Sequence, residues 1–376
     1  IITMPRNPQI VALNEVGTSV WYDNLSRDVL RSGELKGYLD LGVSGLTSNP
    51  TIFKQAIADT SNYDSDIRAL SGNGLNADEI CEELMIQDVG AAADLLIATY
   101  NANPGADGHA SIEVSPTLAH DTQGTLSAAR RLWKKLSRPN IMIKVPATEA
   151  GIPAIRTLLE EGINVNVTLI FSREVYATVA EAHIQALESR VKSGQSVKEL
   201  ASVASFFVSR VDAAHEKRFD ELVAAGKASA AALASFWGKV GIANSKLAYA
   251  KFEELYHSPR FAPLATAGAR VQRPLWASTG TKNPKLSPTL YVEQLAGRDT
   301  VNTMPPATLK AVLAGATITP ALHAGLAEAQ GLISHIKELG LQFDSILLDL
   351  QMAGVKSFAD SYSELISSIE TKRKAI

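Results

Sequence analysis

The chain has 376 residues, 46% hydrophobic and 20% charged, with 36 basic and 39 acidic side chains for a formal net charge of −3. That apolar fraction supports a large core and excludes global disorder; without a basic excess, no long surface is suited to a phosphate backbone, which argues against nucleic-acid binding. The single cysteine, Cys81, excludes a disulfide framework and a Cys-based zinc site.

In chain order, Ser19–Asp23 (SVWYD) reads as a first strand ending on an acid, followed by a helix over Leu25–Leu39. Gly45–Asn49 (GLTSN) reads as a second strand stopped by Pro50. The long gap Pro50–His109 holds a helical pattern at Asp78–Thr99. Ala110–Ser115 (ASIEVS) is the third strand, then a helix at Thr122–Leu136. Ile141–Ala147 (IMIKVPA) is the fourth, followed by a helix at Gly151–Glu161. Asn164–Phe171 (NVNVTLIF) is the fifth, with a helix at Ser172–Ser193, and Ser202–Arg210 (SVASFFVSR) is the sixth, with a helix at Asp212–Ala225. After a second long gap, Val211–Gln272, whose helix Asn244–Tyr256 precedes it, Arg273–Thr279 (RPLWAST) is the seventh strand. Thr300–Met304 (TVNTM) is the eighth, followed by a helix at Pro306–Ala314. From Leu322 to Ile376 the pattern is helical, with a basic end at Lys372, Arg373 and Lys374 that suits a helix C-terminus.

Strand alternating with helix predicts parallel pairing, and eight such units predict a closed (β/α)8 TIM barrel. An open doubly wound sheet is the competing fold, but no GxGxxG opens a helix. The expectation is an α/β protein with one domain over residues 1–376: a barrel over about residues 17–315, extra helices inserted at 50–109 and 211–272, and a helical tail over about 320–376 packed on the barrel. The seven histidines include no i,i+4 pair and no HExxH, so a protein-held transition metal is not expected. No run of about 18 apolar residues is present to span a membrane. Ile1–Pro8 carries one arginine and no long apolar stretch, which does not read as a signal peptide. A cytoplasmic protein is the expectation.

The chemistry lies on the strands. In the fifth, Asn164, Asn166 and Thr168 alternate with Val165, Val167 and Leu169, so the polar groups share one face. Helices cover the outside of a barrel, so the polar face is expected to point inward, where amides and hydroxyls need partners. A solvent-facing strand of an antiparallel sheet would show the same alternation. Lys144 shares the face of Met142 and Pro146. Inside a barrel a lysine loses hydration, which favours the neutral amine that attacks carbonyls; on an exposed edge strand it would only guard against aggregation. Asp23 and Glu113 fall toward the same end of the barrel, as proton-moving or water-holding groups, though each alone could be a helix cap or a surface charge. Thr47 and Asn49 share a face before Pro50. Arg210 ends the sixth strand, and Ser278, Thr281 and Lys282 follow the seventh in ASTGTKNP, a turn of hydroxyls and a cation suited to a phosphate. It could equally be a solvated loop.

Together these segments resemble the transaldolase family. GLTSNPTIF (Gly45–Phe53) and IMIKVPATEAGIPAI (Ile141–Ile155) are similar to its two signatures. The likeness continues through GINVNVTLIFS, SFFVSR and NTMPPATL, over about residues 10–370, and the length and the GVKSF tail resemble its longer bacterial members. The resemblance implies metal-free, class I aldol transfer in the non-oxidative pentose phosphate pathway, with sugar phosphates as the partners, no cofactor, and a monomer or homodimer. It implies Lys144 as the imine-forming residue, Asp23 as the acid/base for C–C cleavage, and Glu113 with Thr168 as holders of a catalytic water. Asn49 and Asn166 are implied as amides on the dihydroxyacetone unit, Ser205 as a hydroxyl on the substrate and Phe207 as an apolar wall. Arg210, with Ser278 and Lys282, is implied at the phosphate. Two other readings compete. Fructose 6-phosphate aldolases, which are shorter, resemble this site but carry glutamine in place of Glu113 and tyrosine in place of Phe207. A catalytically silent barrel acting as a binding protein is the other, and the intact set Lys144, Asp23 and Glu113 argues against it.

Overall fold

The computed structural model describes residues 5–375; residues 1–4, part of the Ile1–Pro8 stretch considered above, and residue 376 lie outside the described residues. Eight strands, β1 (Thr18–Asp23), β2 (Gly45–Thr47), β3 (His109–Glu113), β4 (Ile141–Pro146), β5 (Val165–Ile170), β6 (Ser202–Phe207), β7 (Arg273–Ala277) and β8 (Thr300–Met304), close into a barrel in chain order. Every pairing is parallel, and β8 returns to β1. This is the predicted (β/α)8 barrel.

The two faces of each strand explain the closure. Val20, Tyr22, Ile143, Val145, Val165 and Val167 belong to the apolar layer shared with the surrounding helices. Trp21, Met142, Val203, Leu275 and Val301 form a second cluster inside. Strand register places Trp21 beside Gly45, and a Cβ on Gly45 would lie 2.3 Å from the indole, so only glycine fits there. The N-terminal end of the barrel is closed by polar groups. Asp107 accepts hydrogen bonds from Ser19 Oγ, Trp21 Nε1 and Ser44 Oγ, while Arg273 donates to Ser19 Oγ.

Several boundaries differ from the sequence reading. The helix expected over Leu25–Leu39 is two, Arg27–Arg31 and Glu34–Leu41, divided at Gly33 with φ of +83°. β2 ends at Thr47 rather than Asn49. Pro50 has no N–H for a ladder and opens the helix Pro50–Ala58, which Asn49 caps by accepting from Ile52 N. β6 ends at Phe207, and Arg210 lies in the first turn of the helix Ser209–Ala224 rather than at a strand end. There the N–H groups of Val208 and Ser209 donate to Ala277 O and Ser278 O, and the chain then turns into the helix. β7 likewise stops at Ala277, short of Thr279, because Ser278 takes a left-handed backbone with φ of +56°.

The insertions are helical as expected: Pro50–Ala58, Asp64–Gly72 and Ala77–Ala102 in the first, and Ala230–Ala234, Val240–Tyr256 and Ala262–Thr266 in the second. The tail is two helices, Leu326–Glu338 and Phe343–Lys374, and the second crosses the C-terminal mouth of the barrel. Among the described residues, no helix is long and apolar enough to cross a membrane.

Candidate active site

Period-two alternation on β4 turns Lys144 into the barrel above Met142, where it is 5% exposed. Strand register sets Glu113 on one side of it and Asn166 on the other. Lys144 Nζ donates to Ser48 O at 3.0 Å and lies 4.0 Å from Glu113 Oε2. The second carboxylate approaches from β1, where Asp23 Oδ1 accepts from Thr47 Oγ1 at 2.9 Å. Thr47 in turn shares a 2.6 Å hydrogen bond with Thr303 on β8.

Burial raises the proton affinity of both carboxyls. Glu113 is pushed up to about 7 by loss of hydration, with Lys144 and Arg210 opposing the rise and Asp23 adding to it. Asp23 is raised by the same burial, opposed by Lys144, the Thr47 hydrogen bond, Arg210 and Lys282. Each carboxyl is thereby moved toward the range where it can exchange a proton near neutral pH.

The polar face of β5 points inward, as its alternation predicted. Asn166 Nδ2 donates to Ser111 Oγ at 3.1 Å, and Ser205 Oγ donates to Asn166 Oδ1 at 2.7 Å. Thr168 follows two residues on, after which the register of β5 against β6 shifts and Leu169 adopts φ of +59°. Thr168 Oγ1 and Glu113 Oε2 are both buried and have no hydrogen-bond partner among the described residues. Each is therefore an open polar position that a small ligand such as a water could satisfy.

An open cavity of about 160 Å³ stands over Lys144, with Asp23, Asn49, Ser205 and Phe207 in its wall. Its outer end is cationic: Arg210 and Lys282 line it with Ser278 and Gly280. Thr281 is not part of that lining. Ser278 Oγ shares a 2.6 Å hydrogen bond with Ser209 Oγ, which ties the turn after β7 to the start of the Arg210 helix. Asn49 uses its side-chain oxygen as a helix cap and turns toward the cavity from there. Asn166, Thr168 and Glu113 do not line this cavity; Glu113 instead borders a second one of about 340 Å³ between the helices Pro50–Ala58, Ala77–Ala102, Thr122–Leu136 and the C-terminal helix.

Four contributors escaped the sequence reading. Ser111 lies one period before Glu113, so the same alternation would have found it; Thr303 lies on β8, where no residue had been singled out. The Ser48 carbonyl and Phe358, which lines the cavity from the C-terminal helix, carry no comparable signal. Among the described residues, no group of three or more His, Cys, Asp or Glu side chains is placed to hold a metal.

An amine enclosed in a parallel barrel, between two carboxyls that burial keeps protonatable, is equipped for carbonyl chemistry through an imine. That places the fold and site with the class I, lysine-based aldol enzymes. The chain belongs to the transaldolase/fructose-6-phosphate aldolase family, which it matches over residues 20–369. It is 43% identical over 373 residues to "Transaldolase 2" of Nostoc sp., with 98% of each chain covered. It is 44% identical over 369 residues to "Transaldolase" of Mycolicibacterium smegmatis, again with 98% of each covered. The protein of that name from Mycobacterium tuberculosis is 44% identical over 364 residues, with 96% of each covered.

Proposed function

We propose that this chain is a transaldolase, moving a dihydroxyacetone unit from a ketose phosphate, sedoheptulose 7-phosphate or fructose 6-phosphate, to an aldose phosphate, glyceraldehyde 3-phosphate or erythrose 4-phosphate. The observation that carries this is the enclosure of Lys144 Nζ, 4.0 Å from Glu113 Oε2, beneath a cavity whose outer end bears Arg210 and Lys282.

The neutral amine of Lys144 attacks the ketose carbonyl carbon. The carbinolamine loses its hydroxyl as water, with Glu113 and Thr168 relaying protons through a water they hold, and an iminium forms. The C3–C4 bond then breaks: its electron pair moves into the iminium to give an enamine, and Asp23 takes the proton of the C4 hydroxyl as the aldose leaves. The enamine carbon attacks the acceptor aldehyde, Asp23 returns its proton to the new hydroxyl, and hydrolysis frees the product. Asn49 and Ser205, which line the cavity, supply hydrogen bonds to the dihydroxyacetone hydroxyls, Asn166 acts from behind them by accepting from Ser205 Oγ, and Phe207 supplies an apolar wall. Excluding water from the enamine favours transfer over release.

The aldolase reading differs in what ends the cycle. A coupled assay of fructose 6-phosphate, run with and without erythrose 4-phosphate, is expected to show turnover that depends on the acceptor. Equal release of glyceraldehyde 3-phosphate in both arms would make the chain an aldolase. Chelation is expected to leave the rate unchanged, because the protonated imine itself is the electron sink. Activity lost on chelation and restored by zinc or magnesium would contradict the mechanism.

The cationic end gives a graded prediction. A charge-assisted contact to phosphate contributes about 1.5–3 kcal/mol, roughly 10–150-fold in kcat/KM at 1.4 kcal/mol per decade. Arg210→Ala is expected to lose that much with fructose 6-phosphate. Lys282→Ala is expected to lose less, because Lys282 is exposed, its charge is screened, and it lacks the planar fork. The loss should be confined to the phosphorylated donor. If kcat/KM for plain fructose falls equally, these cations are structural.

A further inference from the structure

Arg210 is in an unusual setting for a cation between two acids. Its guanidinium is mostly desolvated, and Asp23 and Glu113 both attract it, yet among the described residues no ion pair joins it to either carboxylate. Its flanking partners are two aromatic faces instead: the guanidinium carbon lies 5.0 Å from the ring centre of Phe207 and 5.5 Å from that of Phe358. Phe207 ends β6. Phe358 is brought in by the C-terminal helix from far along the chain.

That helix is seated on the mouth by one face. Gln351 Nε2 donates to Ala147 O at 2.9 Å and Leu169 O at 3.2 Å, beyond the ends of the strand that carries Lys144 and within the one that carries Thr168. Gly354 packs so closely that a Cβ there would lie 2.9 Å from Leu169 Cδ2 and 3.6 Å from Arg210 Nη1. Ser361 Oγ and Thr51 Oγ1 share a 2.9 Å hydrogen bond beside the Asn49 turn. Residues 351, 354, 358 and 361 are spaced to fall on one helical face, so Phe358 is fixed between two anchored positions.

We propose that Phe358 is a positioning residue of the phosphate site. Building on the reading that Arg210 receives the substrate phosphate, the two rings hold the guanidinium by its faces and keep it off Asp23 and Glu113. A ring face attracts a cation without occupying any N–H donor. A carboxylate partner would occupy the fork that a phosphate needs, and would tie Asp23 into an ion pair that opposes its proton uptake. The C-terminal helix therefore sets preference for phosphorylated donors from outside the barrel.

The test is the ratio of kcat/KM for fructose 6-phosphate over that for fructose. Phe358→Leu and Phe358→Met keep an apolar side chain of similar volume and remove the ring. Each is expected to lower the ratio about 2- to 30-fold, the range of a cation–π contact at a partly desolvated site, and to do so mainly through KM for the phosphorylated donor. Phe358→Tyr keeps the face and is expected to restore the ratio. Thermal melts accompany each variant, and Met serves if Leu does not fold. An unchanged ratio in both ring-less variants overturns the proposal, as does a loss in Phe358→Tyr as large as in Phe358→Leu. Arg210→Ala, measured beside them, separates two failures. If it also leaves the ratio unchanged, the phosphate reading has failed and the clamp falls with it. If it lowers the ratio while the ring-less variants do not, only the clamp falls.

Discussion

Borohydride reduction of the protein with fructose 6-phosphate is expected to yield a single adduct, on Lys144, and Lys144→Met is expected to yield none. Among the described residues, Lys144 is the lysine that the barrel encloses, 5% exposed and within the inward-facing polar layer. Without an imine the cleaved bond has no electron sink, which no neighbouring acid or base can replace. The activity loss should therefore exceed the roughly 10⁴-fold upper range for removing a proton-transfer group. Methionine is the informative substitution because it keeps the apolar stem while removing the amine. Lys144 opposes the rise in the proton affinity of Glu113. It opposes the rise at Asp23 as well, so its removal drives both buried carboxyls further toward their neutral forms, and the variant is expected to fold at pH 7. Mass spectrometry of the reduced digest and a thermal melt check both points; an adduct on another lysine, or a folded Lys144→Met variant that still turns over, defeats the mechanism.

The barrel was legible because eight strand-like segments, from Ser19–Asp23 to Thr300–Met304, alternate with helical patterns, and that order favours parallel pairing and closure. Period-two alternation within the fourth and fifth strands exposed Lys144, Asn166 and Thr168, since polar groups on an inward face are costly unless used, whereas Glu113 stood out as a carboxylate within the third strand. Strand ends were less legible. Whether a β-branched run stops at Phe207 or Arg210 depends on the bonds that Val208 and Ser209 make to the neighbouring β7 end, and local pattern does not report those. The polar closure of the barrel was hidden for a related reason: Ser19 and Arg273 meet across 254 residues. The C-terminal helix shows the limit most clearly. Its apolar stripe indicates that something is covered, but not that Phe358 reaches Arg210 or that Gln351 reaches Ala147 and Leu169.

Glu113 and Asp23 are expected to fail at different steps, and pH separates them. Glu113 is held at about 7 by burial. As the group that takes a proton in imine formation it must be ionised, so the rate of borohydride-trappable adduct formation should rise as pH climbs to about 7 and fall below it by up to tenfold per unit. Glu113→Gln should slow trapping by about 10²–10⁴-fold and abolish that limb. Asp23→Asn should still form the trapped adduct, because its task follows the imine, while turnover falls by a similar order. Single-turnover trapping of both variants across pH 5–9 is the measurement; equal trapping rates would remove the division of labour. The same burial has a sign in stability. The folded state holds Glu113's proton up to about 7, whereas an unfolded glutamate releases it near its ordinary value of 4.5. Between those values the folded protein binds more protons, so the stability contribution of this group is present at low pH and is lost as pH rises through about 7. That loss persists although Lys144 stands 4.0 Å away, because burial outweighs its attraction. Glu113→Gln, which cannot ionise, should therefore gain in Tm relative to the parent at pH 8 compared with the same difference at pH 5. A Tm difference that does not change between those pH values would mean that the carboxyl is not held protonated by the fold, and that its part in moving protons near neutral pH needs another source.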